Sequence, residues 1–480
     1  MKRQSLKSSF FYSLLYQVLN LLIPIVTMPY LARVLGADGL GIQSYTMSIQ
    51  QFFLLFSSLG AFIYGSRIIS MNRNDTYLRS KNFFEIEIIV TSCTLLVSLV
   101  WLFLCYVSNN YTQYYLILLI GLIANLFDIS WFFNGLELFK LTVIRSLVFK
   151  IIGAISIFVF VQKHQDLWIY ILILSLSTLF SNLTLWPYLR KYVVKVNIHD
   201  FCFKSHLKET LIYFIPTIST SIYTVLDRTL IGVITKDPTQ NGYYQQAEKI
   251  SVLVQALVFS AINSVLGVRN AYLYAEKKYE EIKQKIDFSL NFILFLGFVC
   301  CFGIIGIAKT IIPIYLGHNF NETIYILYIF APIIVIIGFS NCLGTQYYTP
   351  CGLRKQSSIY LIIGALFNLI FNLILIPFLA ARGAAISSVI AELVISILYV
   401  KNCNGFCKLG RIIQIAYKKI FASILMLIAI KLIEYLPFVG IELVLVQIIA
   451  GIIIYVVSLI LLKDTWFLLM LNRFVKNRNG

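Results

Sequence analysis

The chain has 480 residues, with 39 Lys and Arg against 21 Asp and Glu and a net charge of +18. Its apolar share is 59% and its charged share 12%, against about 45–50% and about 25% in soluble domains, which excludes a water-soluble fold of this size. The 15% aromatic content excludes disorder, and long unbroken apolar runs, in place of period-2 alternation, exclude a membrane β-barrel. What remains is an all-α polytopic membrane protein.

The N-terminus carries Lys2, Arg3 and Lys7, then an apolar run from Phe10. That run outlasts the short core of a secretory leader and contains Gln17, Asn20 and Pro24, so it is expected to be an uncleaved first span. A helix crosses the hydrocarbon with about 20 residues. On that measure about fourteen spans are expected, near 10–32, 41–66, 83–107, 114–136, 143–161, 167–189, 209–233, 242–268, 287–308, 323–348, 358–379, 383–400, 415–435 and 440–462.

Cytoplasmic loops collect Lys and Arg. With the N-terminus inside, 31 of the 39 basic residues fall in or beside inner loops, 5 beside outer loops and 3 (Arg228, Lys249 and Lys431) within spans. Both termini are therefore expected in the cytoplasm, and the positive charge reflects orientation and anionic lipid. It does not indicate nucleic acid, because the basic residues do not gather on one folded face.

Two halves show a weak repeat. Pro24 and then Gly41 mark the first pair of spans, and Pro216 and then Gly242 mark the seventh and eighth. Six spans per repeat gives two parallel lobes, 1–190 and 207–401, with spans 13 and 14 at 415–462 left over.

Polar residues recur at helical spacing in four spans. They are Ser13, Gln17, Asn20, Pro24 and Thr27; Tyr213, Thr217, Thr220 or Ser221, Thr224, Asp227 and Arg228; Asn241, Gln245, Glu248, Lys249, Gln255 and Asn263; and Gly364, Asn368 and Asn372. Steps of three and four keep each set on one face, which in lipid must point at protein or water. Either such stripes bond helices together or they line a lumen. An ionisable group in a span costs about 2.5–3.5 kcal/mol on insertion scales. Asp128, Asp227, Arg228, Glu248 and Lys249 are the main cases, read either as local ion pairs or as an anion-binding lumen with acids for ion coupling. Arg33, Arg67, Arg145 and Arg269 lie near span ends, where anchoring at the interface competes with ligand binding. Lys431 and Glu434 read as an interfacial pair.

No GxxxxGK[ST] loop occurs, and the glycines at 36, 39 and 41 lack a βαβ frame, so they read as a tight outer turn. His164, His199, His206 and His318 are scattered in loops, and Cys403 and Cys407 form a lone pair. Neither catalysis, a metal nor a cofactor is expected.

Three stretches carry a resemblance: PYLARVLGADGLGIQSY from Pro29 to Tyr45, FDISWFFNGLELFK from Phe127 to Lys140, and LDRTLIG with NGYYQQAEKI between Leu226 and Ile250. Together the chain resembles the Wzx-type lipid-linked oligosaccharide flippases of the multidrug/oligosaccharidyl-lipid/polysaccharide (MOP) exporter superfamily. Arg33, Gly36, Gly41, Trp131, Gly135, Glu137, Asp227, Arg228, Gly242 and Glu248 match the motifs, the glycines as turn or close-packing residues. The resemblance implies a MATE-like fold of two six-helix lobes plus two C-terminal helices. It also implies alternating access that moves undecaprenyl-diphosphate-linked sugar units to the outer leaflet of the bacterial cytoplasmic membrane, driven by a proton or sodium gradient. Polysaccharide polymerase and chain-length machinery would be partners beside the substrate and membrane lipids.

On that reading Arg228 and Lys249, with Arg67 or Arg33, attract the diphosphate, because Arg forks onto two phosphate oxygens. Gln17, Asn20 and Gln245 bind sugar hydroxyls, and Asp128, Asp227 or Glu248 couples the ion. The competing readings are a multidrug exporter or a lipid II flippase of the same superfamily. A polysaccharide polymerase or ligase would need a large outer loop that the chain lacks, and a purely structural membrane protein would not need charges within its spans.

Overall fold

Runs of Leu, Ile, Val and Phe leave no solvent to satisfy backbone polar groups in a bilayer, and a helix satisfies them internally. The structure, a computed structural model, describes residues 6–108 and 110–476, without the side chains of 6–16, 215–217, 219–224, 260–268, 271 and 473–476. It is helical throughout, and no strand occurs among the described residues. Among those residues nine helical stretches are long and apolar enough to cross a bilayer, or up to ten if a bent pair counts as one span.

The polarity is inverted relative to a soluble protein. Leu95, Leu96, Leu99, Val100 and Phe103 on one helix are each more than half exposed, whereas Gln50, Ser57, Thr94, Asn368 and Gln447 are buried. An apolar belt of this extent is stable only against lipid. The chain is a multi-pass membrane protein.

The chain divides into two compact units, Met1–Gly232 with Asp237–Gly242 and Val233–Lys236 with Tyr243–Gly480. The first unit holds α1 (Leu6–Ser58), α2 (Ala61–Met71), α3 (Thr76–Val107), α4 (Thr112–Asn125), α5 (Ser130–Gly135), α6 (Phe139–Phe160), α7 (Leu167–Leu183), α8 (Trp186–Leu189) and most of α9 (Phe203–Thr235).

α1 is interrupted at Gly36, whose φ of 70° and ψ of 179° break the helix where the glycine cluster reads as a tight turn. The flanking contacts show that the chain reverses there. Before Gly36, Asn20 accepts from Lys150 at 2.5 Å and the Tyr30 hydroxyl donates to the Val161 carbonyl at 2.7 Å, so this half runs alongside α6 in the same direction. α7 runs opposite to α6, with Arg145 on Ser181 and Ser177 against Gly153. Beyond Gly36, Asp38 meets His164 at the start of α7. Near its other end, Ser57 accepts from Asn125 at 2.9 Å, and Asn182 at the end of α7 donates to the neighbouring Ala124 carbonyl.

Three expected spans prove to be broken. The stretch 41–66 is divided by Leu59 and Gly60, both with positive φ, into the end of α1 and α2. Gly60 is needed there, since a Cβ would lie 2.9 Å from the Phe214 nitrogen of α9. The stretch 114–136 divides into α4 and the six-residue α5. Lys150, grouped with inner loops by charge counting, stands eleven residues into α6, about 16 Å along the helix.

Trp131, Phe132 and Phe133 of α5 join Phe83, Ile86, Val90, Tyr64 and Ile69 in one buried cluster. Two glycines allow it, Gly65 and the motif residue Gly135: a Cβ on Gly65 would collide with the Trp131 ring, and one on Gly135 would sit 2.7 Å from the Ser66 carbonyl oxygen.

The second unit holds the rest of α10 (Pro238–Ala275), then α11 (Tyr279–Tyr315), α12 (Asn321–Phe330), α13 (Ile333–Leu343), α14 (Arg354–Lys401), α15 (Leu409–Ile433), α16 (Gly440–Leu461) and α17 (Thr465–Lys476). The third broken span is 323–348, where α12 and α13 bend by 47° at Ala331 and Pro332. α14 is interrupted at Ala380, with φ 48°. Met426, Ile430, Tyr455 and Leu459 form a core between α15 and α16, against which Phe295 and Phe302 of α11 pack. Lys431 and Glu434 pair at 2.7 Å, as the sequence suggests.

Candidate functional site

Within the first unit a cavity of about 490 Å³ opens between α1, α4, α7 and α9. Gln51, Ser58, Asn125, Asp128, Thr178 and Asn182 form its polar wall, and Phe52, Leu54, Leu55, Phe62, Gly121 and Val225 its apolar wall. The polar groups are anchored on one side. Asn125 donates to Ser57 at 2.9 Å and Thr94 at 3.1 Å, Asn182 to the Ala124 carbonyl at 2.9 Å, and the Ser130 N–H donates to Asp128 Oδ1 at 3.0 Å. Such anchoring presents fixed acceptors to whatever enters. Gly121 lets Gln50 cross to the Leu118 carbonyl at 2.7 Å, which draws α1 and α4 together at the wall.

Arg228 reaches this site. Its Nη2 donates to Gln51 Oε1 at 3.3 Å, one turn from Val225 on the wall, and Asp227 beside it is buried. Of the sequence candidates, Asp128 lines the cavity and Arg228 adjoins it through Gln51. Asn20 is elsewhere, accepting from Lys150. Arg67 donates to the Tyr213 hydroxyl, with its guanidinium 5.9 Å over that ring. Arg33 and Gln17 are exposed. Gln245 is buried in the second unit, where Glu248 and Lys249 are half-buried. The side chains of Ser13, Thr217, Thr220, Ser221, Thr224 and Asn263 lie outside the described residues.

Sequence reasoning missed Gln51, Asn125, Thr178 and Asn182, neutral polar residues drawn from three separate helices. It also left His206 in a loop. His206 stands on α9 and bridges α2 and α3, with Nδ1 2.7 Å from the Tyr64 hydroxyl and Nε2 2.9 Å from Glu85, which also accepts from the Cys202 N–H.

The second unit has a cavity of about 440 Å³ among Glu280, Lys283, Asp287, Lys408 and Arg411. Arg411 forks onto Asp287 at 2.9 and 3.1 Å. Among the described residues no group of three or more His, Cys, Asp or Glu is placed to hold a metal.

A lipid-facing helical shell around polar cavities defines a membrane protein of transporter architecture, and solved structures share the fold. The chain superposes on the lipid II flippase MurJ in its inward closed conformation with a TM-score of 0.71, covering 95% of this chain and 99% of that one at 16% identity. For an inward-facing MATE family multidrug resistance transporter of the MOP superfamily the TM-score is 0.61, with 84% and 94% covered at 15% identity. The sequence profile of the family described as "Polysaccharide biosynthesis protein" matches residues 6–267. The chain belongs to that family. Two relatives, from Escherichia coli K12 and Shigella dysenteriae, are each named "Putative O-antigen transporter". Both are 24% identical, over 83% of this chain and 97% of the first, and over 80% and 96% for the second.

Proposed function

We propose that this protein flips a lipid-linked oligosaccharide from the cytoplasmic to the outer leaflet of a bacterial cytoplasmic membrane, by alternating access and with an ion gradient as the driving force. The observation that carries the reading is the polar cavity of the first unit, with Arg228 held at its wall by Gln51 inside a shell that faces lipid. The lipid tail of such a substrate stays in the bilayer while its head, a diphosphate bearing sugars, crosses. That head needs a cation and fixed hydrogen-bonding groups along its path, and this wall has both. Membership of the polysaccharide biosynthesis family and the names of its O-antigen relatives support the substrate class.

In this reading Arg228 and Lys249, with Arg67 or Arg33, attract the diphosphate. Gln51, Asn125 and Asn182 join Gln17, Asn20 and Gln245 in binding sugar hydroxyls, and Asp128, Asp227 or Glu248 carries the coupling ion. The lobes are 1–190 and 207–401, both termini face the cytoplasm, and polymerase and chain-length proteins receive the product. No catalytic step is part of this reading.

The test is lipid analysis after deletion of the gene, with the sugar-assembly enzymes intact. Accumulation of an undecaprenyl-diphosphate oligosaccharide on the cytoplasmic face is the expected result. An unchanged lipid pool with raised drug sensitivity would overturn the reading in favour of a drug exporter, and accumulated lipid II would overturn the substrate. In reconstituted vesicles, Arg228→Ala with Lys249→Ala is expected to slow flipping at least tenfold, and unimpaired flipping would remove the diphosphate assignment.

A further inference from the structure

Glu87 lies in the apolar part of α3, two residues beyond Glu85 and on a different face. It is 7% exposed, and neither of its carboxylate oxygens has a hydrogen-bond partner. Its surroundings are the apolar cluster of Phe83, Ile86, Val90 and Trp131. The groups that act on it electrostatically are Asp128, of the same sign, and the Trp131 indole.

Among the described residues no cation acts on it, and Lys81, six residues back on α3, stands on another face. On α1, Arg33 is exposed and lies before the reversal at Gly36, and Asp38, about 30 Å up the helix from Ser57, is held by His164. α4 and α5 carry no charge. On α2, Arg67 is engaged by Tyr213, and in the loop that follows Arg73 pairs with Glu137 at 3.1 Å. On α3 itself Arg79 is held by the Tyr192 carbonyl and Glu85 by His206. An ionised carboxylate so enclosed is among the costliest groups a protein can bury, and it neutralises by taking up a cation. The apolar lining and the absence of a described metal-ligating group favour the smallest cation, a proton.

We propose that Glu87 is a proton-binding residue of this protein, loading and unloading through Asp128, the candidate coupling acid that lines the polar cavity. The inference rests on the reading that an ion gradient drives transport. The step is a transfer between two carboxyl groups: an O–H bond forms on a Glu87 oxygen as the Asp128 O–H bond breaks, leaving Asp128 as the carboxylate. Asp128 then regains a proton from water of the cavity, and unloading runs in reverse. Sharing a proton also relieves the repulsion between two acids of like charge.

The experiment uses the full-length protein in liposomes without substrate, observed by infrared difference spectroscopy across a pH step. The wild type is expected to show a protonated-carboxyl band that Glu87→Gln abolishes and Glu87→Asp restores at a shifted position. Asp128→Asn is expected to keep the band but slow its appearance at least tenfold. Glu87→Gln copies the shape of the protonated side chain, so its unfolding midpoint should match the wild type. In flipping assays it should lose stimulation by a pH gradient while still binding the lipid-linked substrate. A band that survives Glu87→Gln, one that responds to sodium in place of pH, or its absence from the wild type would each overturn the site. A band assigned to Glu87 in a protein whose deletion leaves the lipid pool unchanged would keep the proton site and discard the substrate.

Discussion

Gly41 and Gly242, which mark corresponding positions of the sequence repeat, touch in the first unit. A Cβ on Gly41 would lie 2.5 Å from the Pro238 carbonyl carbon and 3.0 Å from the Gly242 nitrogen. A Cβ on Gly242 would lie 2.8 Å from the Ala37 carbonyl carbon and 3.1 Å from its Cα. Ordinary contact begins near 3.4 Å, so either alanine forces the start of α10 away from α1 by about 1 Å or more. The obstacle is backbone, which cannot rotate aside, so each of Gly41→Ala and Gly242→Ala is expected to cost about 2–3 kcal/mol, the upper part of the overpacking range. Both clashes are relieved by the same separation of the same two segments. The double variant should therefore cost little more than the worse single one, a coupling of about 1–2 kcal/mol. Unfolding titrations in mixed detergent micelles on the four proteins of the cycle measure it. Costs that simply add would show two independent clashes, and neutral single variants would show that the close approach is not a packing constraint; either refutes the reasoning.

Two ion pairs in the second unit should behave oppositely. Lys419 and Asp464 meet at 3.2 Å with the Lys419 side chain 1% exposed and its ammonium also on Asn291 and the Ile415 carbonyl. Lys419→Met should cost about 3–5 kcal/mol by stranding a buried carboxylate, and Lys419→Met with Asp464→Leu should regain most of it in the same unfolding titration. The residual deficit is the cap that Asp464 supplies to the Phe467 N–H at 2.9 Å, about 1 kcal/mol. Arg382 forks onto Glu322, one arm at 2.8 Å, and lies 4.4 Å over the Tyr325 ring, but its side chain is 42% exposed. Arg382→Lys should cost no more than about 1 kcal/mol, and that cost should shrink in high salt.

The helices, the lipid-facing belt and the turn at Gly36 are legible in the sequence, because each is set by local composition: apolar runs, and a glycine where φ must be positive. The breaks at Leu59–Gly60 and Pro332 were less legible, since a run of apolar residues reads as one span whether or not its axis bends. Asp128 and Arg228 stood out as charges in apolar runs. Their neighbours did not, because the cavity takes Gln51, Asn125, Thr178 and Asn182 from helices far apart in the chain, and a neutral polar residue does not stand out there as a charge does. Lys150 was hidden by its nearness to a basic loop, and His206 finds Glu85 across 121 residues of chain.

A polar side chain inside a membrane protein has two meanings, and its type does not separate them. Asn368 and Asn372 match Asn125 in chemistry and form a neat helical stripe. Yet both are fully buried, and Asn372 donates to Asn368 one turn back on the same helix at 3.0 Å, so the pair closes on itself inside the packed interior. Asn125 and Asp128 are half-buried, anchored on one side and bordered by a cavity on the other, which is the arrangement a ligand needs. Glu87 fits neither class. It is 7% exposed, yet neither of its carboxylate oxygens has a hydrogen-bond partner. A carboxylate that is costly to bury and has no hydrogen-bond partner is retained for what it binds, and in apolar surroundings, under the influence of the cavity acid Asp128, that is a proton.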